Sequence, residues 1–211
     1  SAASDVYKRQ ELKTGMVSLP GGLVMGLLGP AIGRAYDARG TRPLIIPGSI
    51  LIAIGMMGFA ALEQTESLFA WVGSGTWPAF VQLMVLTVVL NLGIDLMMTP
   101  LMSNALAAVP DSLASHGQAI LNTFQQVAGG AGTAIFVAVM TFASTRYASS
   151  NAAELAGLAA TDPALAEQQV VGQGIHVAFL VAALVSVVLI VLSAFLKLDA
   201  NESAHPGHLK K

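Results

Sequence analysis

The sequence predicts an all-α integral membrane protein with about five membrane-spanning helices. Hydrophobic residues make up 55% of the 211-residue chain and charged residues only 10%, against about 25% charged in a soluble globular domain. That leaves too little polar surface to coat a water-soluble particle. The apolar residues also gather in long blocks, and a block of about 18 or more with few charges is long enough to cross a bilayer as a helix. Polar connectors separate the blocks.

Residues 1–10 (SAASDVYKRQ) are polar and lack both an initiator Met and an apolar core, so they do not read as a signal peptide. They read as a non-native leader of the kind a sequencing adapter leaves, which implies native sequence upstream. The first span covers about 15–33, with no charge between Lys13 and Arg34. Its Pro20 and Pro30 are tolerable because neighbouring helices and water satisfy freed carbonyls. Gly22, Gly26, Gly29 and Gly33 recur at three- and four-residue spacing. That spacing predicts a bare face for close helix approach.

A short basic loop, 34–43, leads to the second span at about 44–62. A polar stretch, 63–77, precedes the third span at about 78–102. Trp71 and Trp77 flank that boundary and suit a membrane–water interface. The connector 103–116 leads to the fourth span at about 117–143. A second polar stretch, 144–174, is expected to hold a short surface helix. The fifth span covers about 175–196, the transporter-like part ends at 198, and 199–211 reads as a polar, disordered tail.

Several function classes find no support. The net charge of -2 comes without a basic stripe, so nucleic acid is not an expected partner. The absence of cysteine excludes thiolate metal sites, disulfides and cysteine nucleophiles. No catalytic triad, nucleotide-binding loop or metal constellation is evident. His205 and His208 in the tail make no convincing metal pair. The expectation is a protein that is not an enzyme and needs no cofactor.

Orientation follows from lysine and arginine, which favour the cytoplasmic side. With five spans, the first loop, the third connector and the C-terminus share one side, holding Arg34, Arg39, Arg42, Lys197, Lys210 and Lys211. The other side holds Lys13 and Arg146 once the leader is set aside. The expectation is a multi-pass inner-membrane protein with a cytoplasmic C-terminus. Its N-terminus would then lie outside with no signal to send it there, which a missing upstream region explains.

The first loop reads Gly33-Arg34-Ala35-Tyr36-Asp37-Ala38-Arg39-Gly40-Thr41-Arg42. It resembles the cytoplasmic signature of the major facilitator superfamily. Gly33, Asp37, Gly40 and Arg42 match; Ala38 and Thr41 stand where basic residues are usual. Asp37 is expected near the N-terminal end of the second span, where the helix dipole favours an acid. Arg39 and Arg42 could pair with it or with carbonyls ending the first span. Such contacts would form a gate that holds in one conformation and releases in another. The plainer alternative makes the arginines positive-inside anchors.

A longer stretch carries Met97-Met98-Thr99-Pro100, Asn104-Ala105-Leu106, Pro110, His116-Gly117 and then Asn122 to Gly129 (NTFQQVAG). It resembles the twelfth-to-thirteenth helix region of fourteen-span drug:proton antiporters, the branch that includes lincomycin- and quaternary-ammonium-resistance pumps. The resemblance implies a C-terminal fragment, most of one six-helix half of a major facilitator fold. It also implies amphipathic drug-like substrates, protons, the lipid bilayer and the missing N-terminal half as partners. The alternative is a self-contained five-span scaffold or assembly partner without transport.

Two rows of residues suit a transporter interior. In the fourth span, Gln118, Asn122, Gln125, Gln126, Gly129, Gly132 and Thr133 make one polar, small face. Carboxamides in hydrocarbon are costly without partners, so this face should meet other helices or a wet cavity. In the third span, Thr87, Asn91, Asp95 and Thr99 recur every four residues. Asp95 is the only formal charge within the five apolar blocks, and an acid there is a functional candidate by default. It could carry a proton or attract a cationic substrate, or it could be a structural, partly wetted acid. His176 reads as an interfacial residue at the start of the fifth span.

Overall fold

The computed structural model describes residues 2–65, 69 and 77–195. Trp71, Lys197 and the 199–211 tail with His205, His208, Lys210 and Lys211 lie outside the described residues. The helices are α1 (Ala2–Arg39), α2 (Arg42–Ala60), α3 (Leu62–Thr65), α4 (Trp77–Ala107), α5 (Ala114–Ser150), α6 (Ala152–Thr161) and α7 (Pro163–Phe195). A single 3-10 turn, Asp111–Leu113, links α4 to α5. Five stretches are long and apolar enough to cross a membrane: Gly15–Arg39, Arg42–Ala60, Trp77–Ala107, Ala114–Ser150 and Pro163–Ser193.

The helices outrun the apolar blocks. At about 1.5 Å of rise per residue, α2 is roughly 28 Å long and α5 roughly 55 Å, while the hydrocarbon layer is about 30 Å thick. The excess lies mainly in 144–174, expected as a connector with one short helix. Instead α5 runs on to Ser150, α6 covers Ala152–Thr161 and α7 begins at Pro163. The stretch is rich in Ala, Leu, Glu and Gln, all good helix formers. Its polarity marks where lipid contact stops, not where the helix stops. Asp162 gives α7 a sharp start: its Oδ1 accepts from the N–H groups of Ala164 and Leu165, both at 3.1 Å. Pro163 follows at a first-turn position where its missing N–H costs nothing.

The core is the meeting of α2 with α4 and α7, with α1 laid on α4 and α5 on α7. Backbones touch where α2 crosses α4. A Cβ added at Gly93 would lie 2.8 Å from the Ile52 nitrogen and 2.9 Å from the Gly48 carbonyl oxygen. Only hydrogen fits there, and such close approach lets membrane helices gain contact without a hydrophobic drive between them. Among the described residues the glycine row of α1 does not serve this purpose: around Gly22, Gly26, Gly29 and Gly33 a Cβ would meet nothing within 4 Å. That corrects the sequence expectation. Glycine spacing locates a smooth face, but α1 turns the neighbouring Gly21 face toward α4 instead.

Polar and aromatic pairs pin the remaining seams. Ser49 and Ser193, both buried, share a 3.2 Å hydrogen bond between α2 and α7. Further along the same seam Phe59 stacks on Phe179 at 5.0 Å, and Phe136 of α5 meets Phe179 edge-on at 5.3 Å. Gln82 of α4 clasps α3, donating to the Leu62 carbonyl at 3.0 Å and to Thr65 Oγ1 at 2.6 Å. Trp77 is exposed at the start of α4, with an edge contact to Phe80.

Candidate functional site

The α1–α2 turn is built on Gly40. Its φ of 77° lies in the left-handed region that costs an L-residue with a Cβ roughly 1–2 kcal/mol. Its N–H donates to the Tyr36 carbonyl at 2.8 Å, closing α1. Thr41 follows at 2% exposure and Arg42 opens α2, with a proline in its first turn. Gly33 is half-buried, while Arg34, Asp37, Arg39 and Arg42 are exposed.

Asp37 is not at the start of α2. It lies near the C-terminal end of α1, and the first turn of α2 holds no acid. The helix dipole there is negative and disfavours a carboxylate. The Asp37 side chain has no hydrogen-bond or ion-pair partner among the described residues. The expected dipole contact is therefore corrected: α1 extends one and a half turns past its apolar block and carries Asp37 with it.

Uncharged groups tie the turn to α4. Tyr36 Oη donates to Asn104 Oδ1 at 3.2 Å, and Asn104 Nδ2 donates to Thr41 Oγ1 at 2.8 Å. One carboxamide thus binds the end of α1, the turn and the last turns of α4. Thr41 stands where a basic residue was expected, and its burial explains why an uncharged side chain fits. Sequence reasoning quoted Tyr36, Thr41 and Asn104 without linking them. The bonds join residues 68 and 63 positions apart, and no local spacing signals such pairs.

The α4 row is covered. Thr87 Oγ1 donates to the Leu83 carbonyl and Asn91 Nδ2 to the Thr87 carbonyl, each at 2.8 Å. A Cβ at Gly21 would lie 2.5 Å from Asn91 Nδ2 and 3.2 Å from Thr87 Cγ2, so this face looks onto α1. Asp95, one turn further along it, is 7% exposed. Its Oδ1 accepts from Thr99 Oγ1 at 3.2 Å. Its Oδ2 is buried with no hydrogen-bond partner among the described residues.

The α5 row is open. Gln118, Asn122, Gln125 and Gln126 are all exposed, and α5 has no buried residue. Gln118 Nε2 donates to Asn122 Oδ1 at 3.0 Å. Gln125 reaches α4, where its Nε2 lies 3.3 Å from Met102 Sδ and 3.8 Å from Met98 Sδ, not at Asp95 or Thr99. The seven cavity candidates therefore fall into a covered row on α4 and an open row on α5. Sequence reasoning also missed a hollow of about 390 Å³ between α5 and α7, lined by Tyr147, Leu165, Gln168, Gln169, Gly172 and Gln173. His116 is exposed at the start of α5, and His176 is half-buried within α7.

Five helices long and apolar enough to cross a bilayer describe a multi-pass membrane protein. Comparison with known proteins makes this specific. Over 184 residues the chain is 36% identical to the uncharacterized MFS-type transporter YcnB of Bacillus subtilis, covering 87% of the chain and 33% of that protein. Over 186 residues it is 31% identical to the lincomycin resistance protein LmrB of the same species, covering 87% of the chain and 34% of that protein. Over 133 residues it is 37% identical to LmrB of Listeria innocua, covering 63% of the chain and 26% of the relative. The chain belongs to the major facilitator superfamily of transporters. It spans about a third or less of the length of these curated relatives. No family model matches the chain, and no solved structure matches it.

Proposed function

We propose that this chain supplies one wall of a proton-coupled exporter of amphipathic, often cationic drugs that works by alternating access. The observation that carries the reading is the identity to a lincomycin resistance protein along 87% of the chain. The open carboxamide row of α5 supports it. A helix whose polar face is exposed, with only Gln125 reaching α4, suits a path shared with a second helical half, and major-facilitator substrates bind between halves near the midplane. In this reading the chain belongs to the C-terminal half, and Gln118, Asn122, Gln125 and Gln126 face the substrate path.

The α1–α2 turn is then the cytoplasmic gate, as Arg34, Arg39 and Arg42 favour by the positive-inside rule. Gly33, Asp37, Arg39, Gly40 and Arg42 frame it, and the Tyr36–Asn104–Thr41 bonds hold it shut in one conformation. The bonds are neutral and worth about 1 kcal/mol each, a strength that a transport cycle can make and break.

The test uses the full-length gene in a drug-sensitive bacterial host. Expression should lower accumulated lincomycin, and a protonophore should restore it. Unchanged accumulation across a panel of cationic and neutral amphipathic drugs would overturn the exporter reading.

A further inference from the structure

We infer that Asp95 is the binding site of a single monovalent cation, a proton or a sodium ion, within the bilayer. Its depth is the first reason. Asp95 lies roughly 27 Å of helix rise from the start of α4 and roughly 18 Å from its end. Across 15–33 of α1, 43–60 of α2, 77–107 of α4, 117–143 of α5 and 177–193 of α7, it is the one ionisable side chain. Arg34, Tyr36, Asp37 and Arg39 on α1, Arg42 on α2, His116, Arg146 and Tyr147 on α5, and Glu167 and His176 on α7 flank these stretches and lie outside them.

Its hydrogen bonding is the second reason. A carboxyl group in a low-dielectric interior needs compensation at both oxygens. Thr99 serves Oδ1, while Oδ2 is buried and unpartnered among the described residues. One positive charge at Oδ2 completes the site. The charge count sets the valence. Among the described residues these stretches hold no second acid or histidine, and a divalent ion would take several charged oxygens. Neutral oxygens are in register on the same face: Thr99 Oγ1 one turn below, and Asn91 Oδ1 one turn above, left over because Asn91 donates through Nδ2 to the Thr87 carbonyl. The Gly21 face of α1 packs on the Thr87 and Asn91 end of this row.

The inference deepens the exchange reading above but takes only its purpose from it. The test needs no transport, so a chain that binds the cation without supporting efflux leaves the site standing and removes the exporter. The chain is purified in detergent, and its thermal unfolding is followed against sodium at fixed pH and ionic strength, then against pH without sodium. A sodium-dependent rise in melting temperature, absent in Asp95→Asn and kept in the exposed Glu154→Gln, identifies a sodium site. A pH-dependent difference between wild type and Asp95→Asn that sodium does not alter identifies a proton site. Should Asp95→Asn fail to fold, Thr99→Val carries the test, with the midpoint of the response moved several-fold by loss of the Oδ1 donor. Responses unchanged in both variants, or in Thr99→Val when Asp95→Asn does not fold, overturn the proposal.

Discussion

Asn104 holds Tyr36 through its Oδ1 at 3.2 Å and Thr41 through its Nδ2 at 2.8 Å, so one side chain spends its acceptor on α1 and its donor on the α1–α2 turn. Replacing it with Ala removes both bonds and leaves the buried Thr41 hydroxyl without that partner. An unsatisfied buried group costs about 1–3 kcal/mol, so Asn104→Ala should lower thermal stability in detergent by that amount. Tyr36→Phe, which deletes one bond at a half-buried site, should cost about 1 kcal/mol or less. Equal stability of Asn104→Ala and wild type would show that the bonds do not hold the turn.

Gly93 faces the α2 backbone at contact distance. Gly93→Ala should destabilise the chain by about 1–3 kcal/mol, the usual cost of forcing extra volume into a packed seam. Gly26→Ala, where a Cβ meets nothing within 4 Å, should be neutral or slightly stabilising because Ala favours helix by roughly 1 kcal/mol. Thermal unfolding of the two variants side by side decides whether the glycine row of α1 or the α2–α4 crossing is the packed face.

Asp162 caps α7 with two backbone bonds. Asp162→Ala should cost about 1 kcal/mol, and Asp162→Asn should recover most of it. Amide hydrogen exchange at Ala164 and Leu165 reads the effect locally: faster exchange in the Ala variant is expected, and unchanged exchange would refute the cap.

Gln126 has no side-chain hydrogen bond among the described residues and lies exposed on α5. If the α5 row lines the substrate path, Gln126→Ala in the full-length protein should alter efflux of some drugs several-fold while stability and membrane yield stay unchanged. Identical efflux for every drug tested would place the row at a helix–helix contact instead.

The spans were legible because apolar blocks are a direct record of lipid contact, and so was the Gly40 turn, where the chain must reverse between two of them. The polar row on α5 was legible from its spacing. Helix ends were not: in 144–174, composition that ends lipid contact still favours helix. The packed face of α1 was hidden because its glycine row and its Gly21 contact lie on the same smooth helix, and only the partner decides between them. Asp37 was misplaced for the related reason that α1 outlasts its apolar block. The Tyr36–Asn104–Thr41 bonds and the unpartnered oxygen of Asp95 depend on contacts between helices that no single helix encodes.

The Ser49–Ser193 bond has a consequence for biogenesis. Its two residues are 144 positions apart, and ribosomes add about 5–20 residues per second. The α7-facing side of α2 therefore waits on the order of ten seconds for its partner to be made. Throughout that interval lipid or the insertion machinery must cover Ser49 and the ring of Phe59, and the α2–α7 seam cannot lock until α7 enters the membrane.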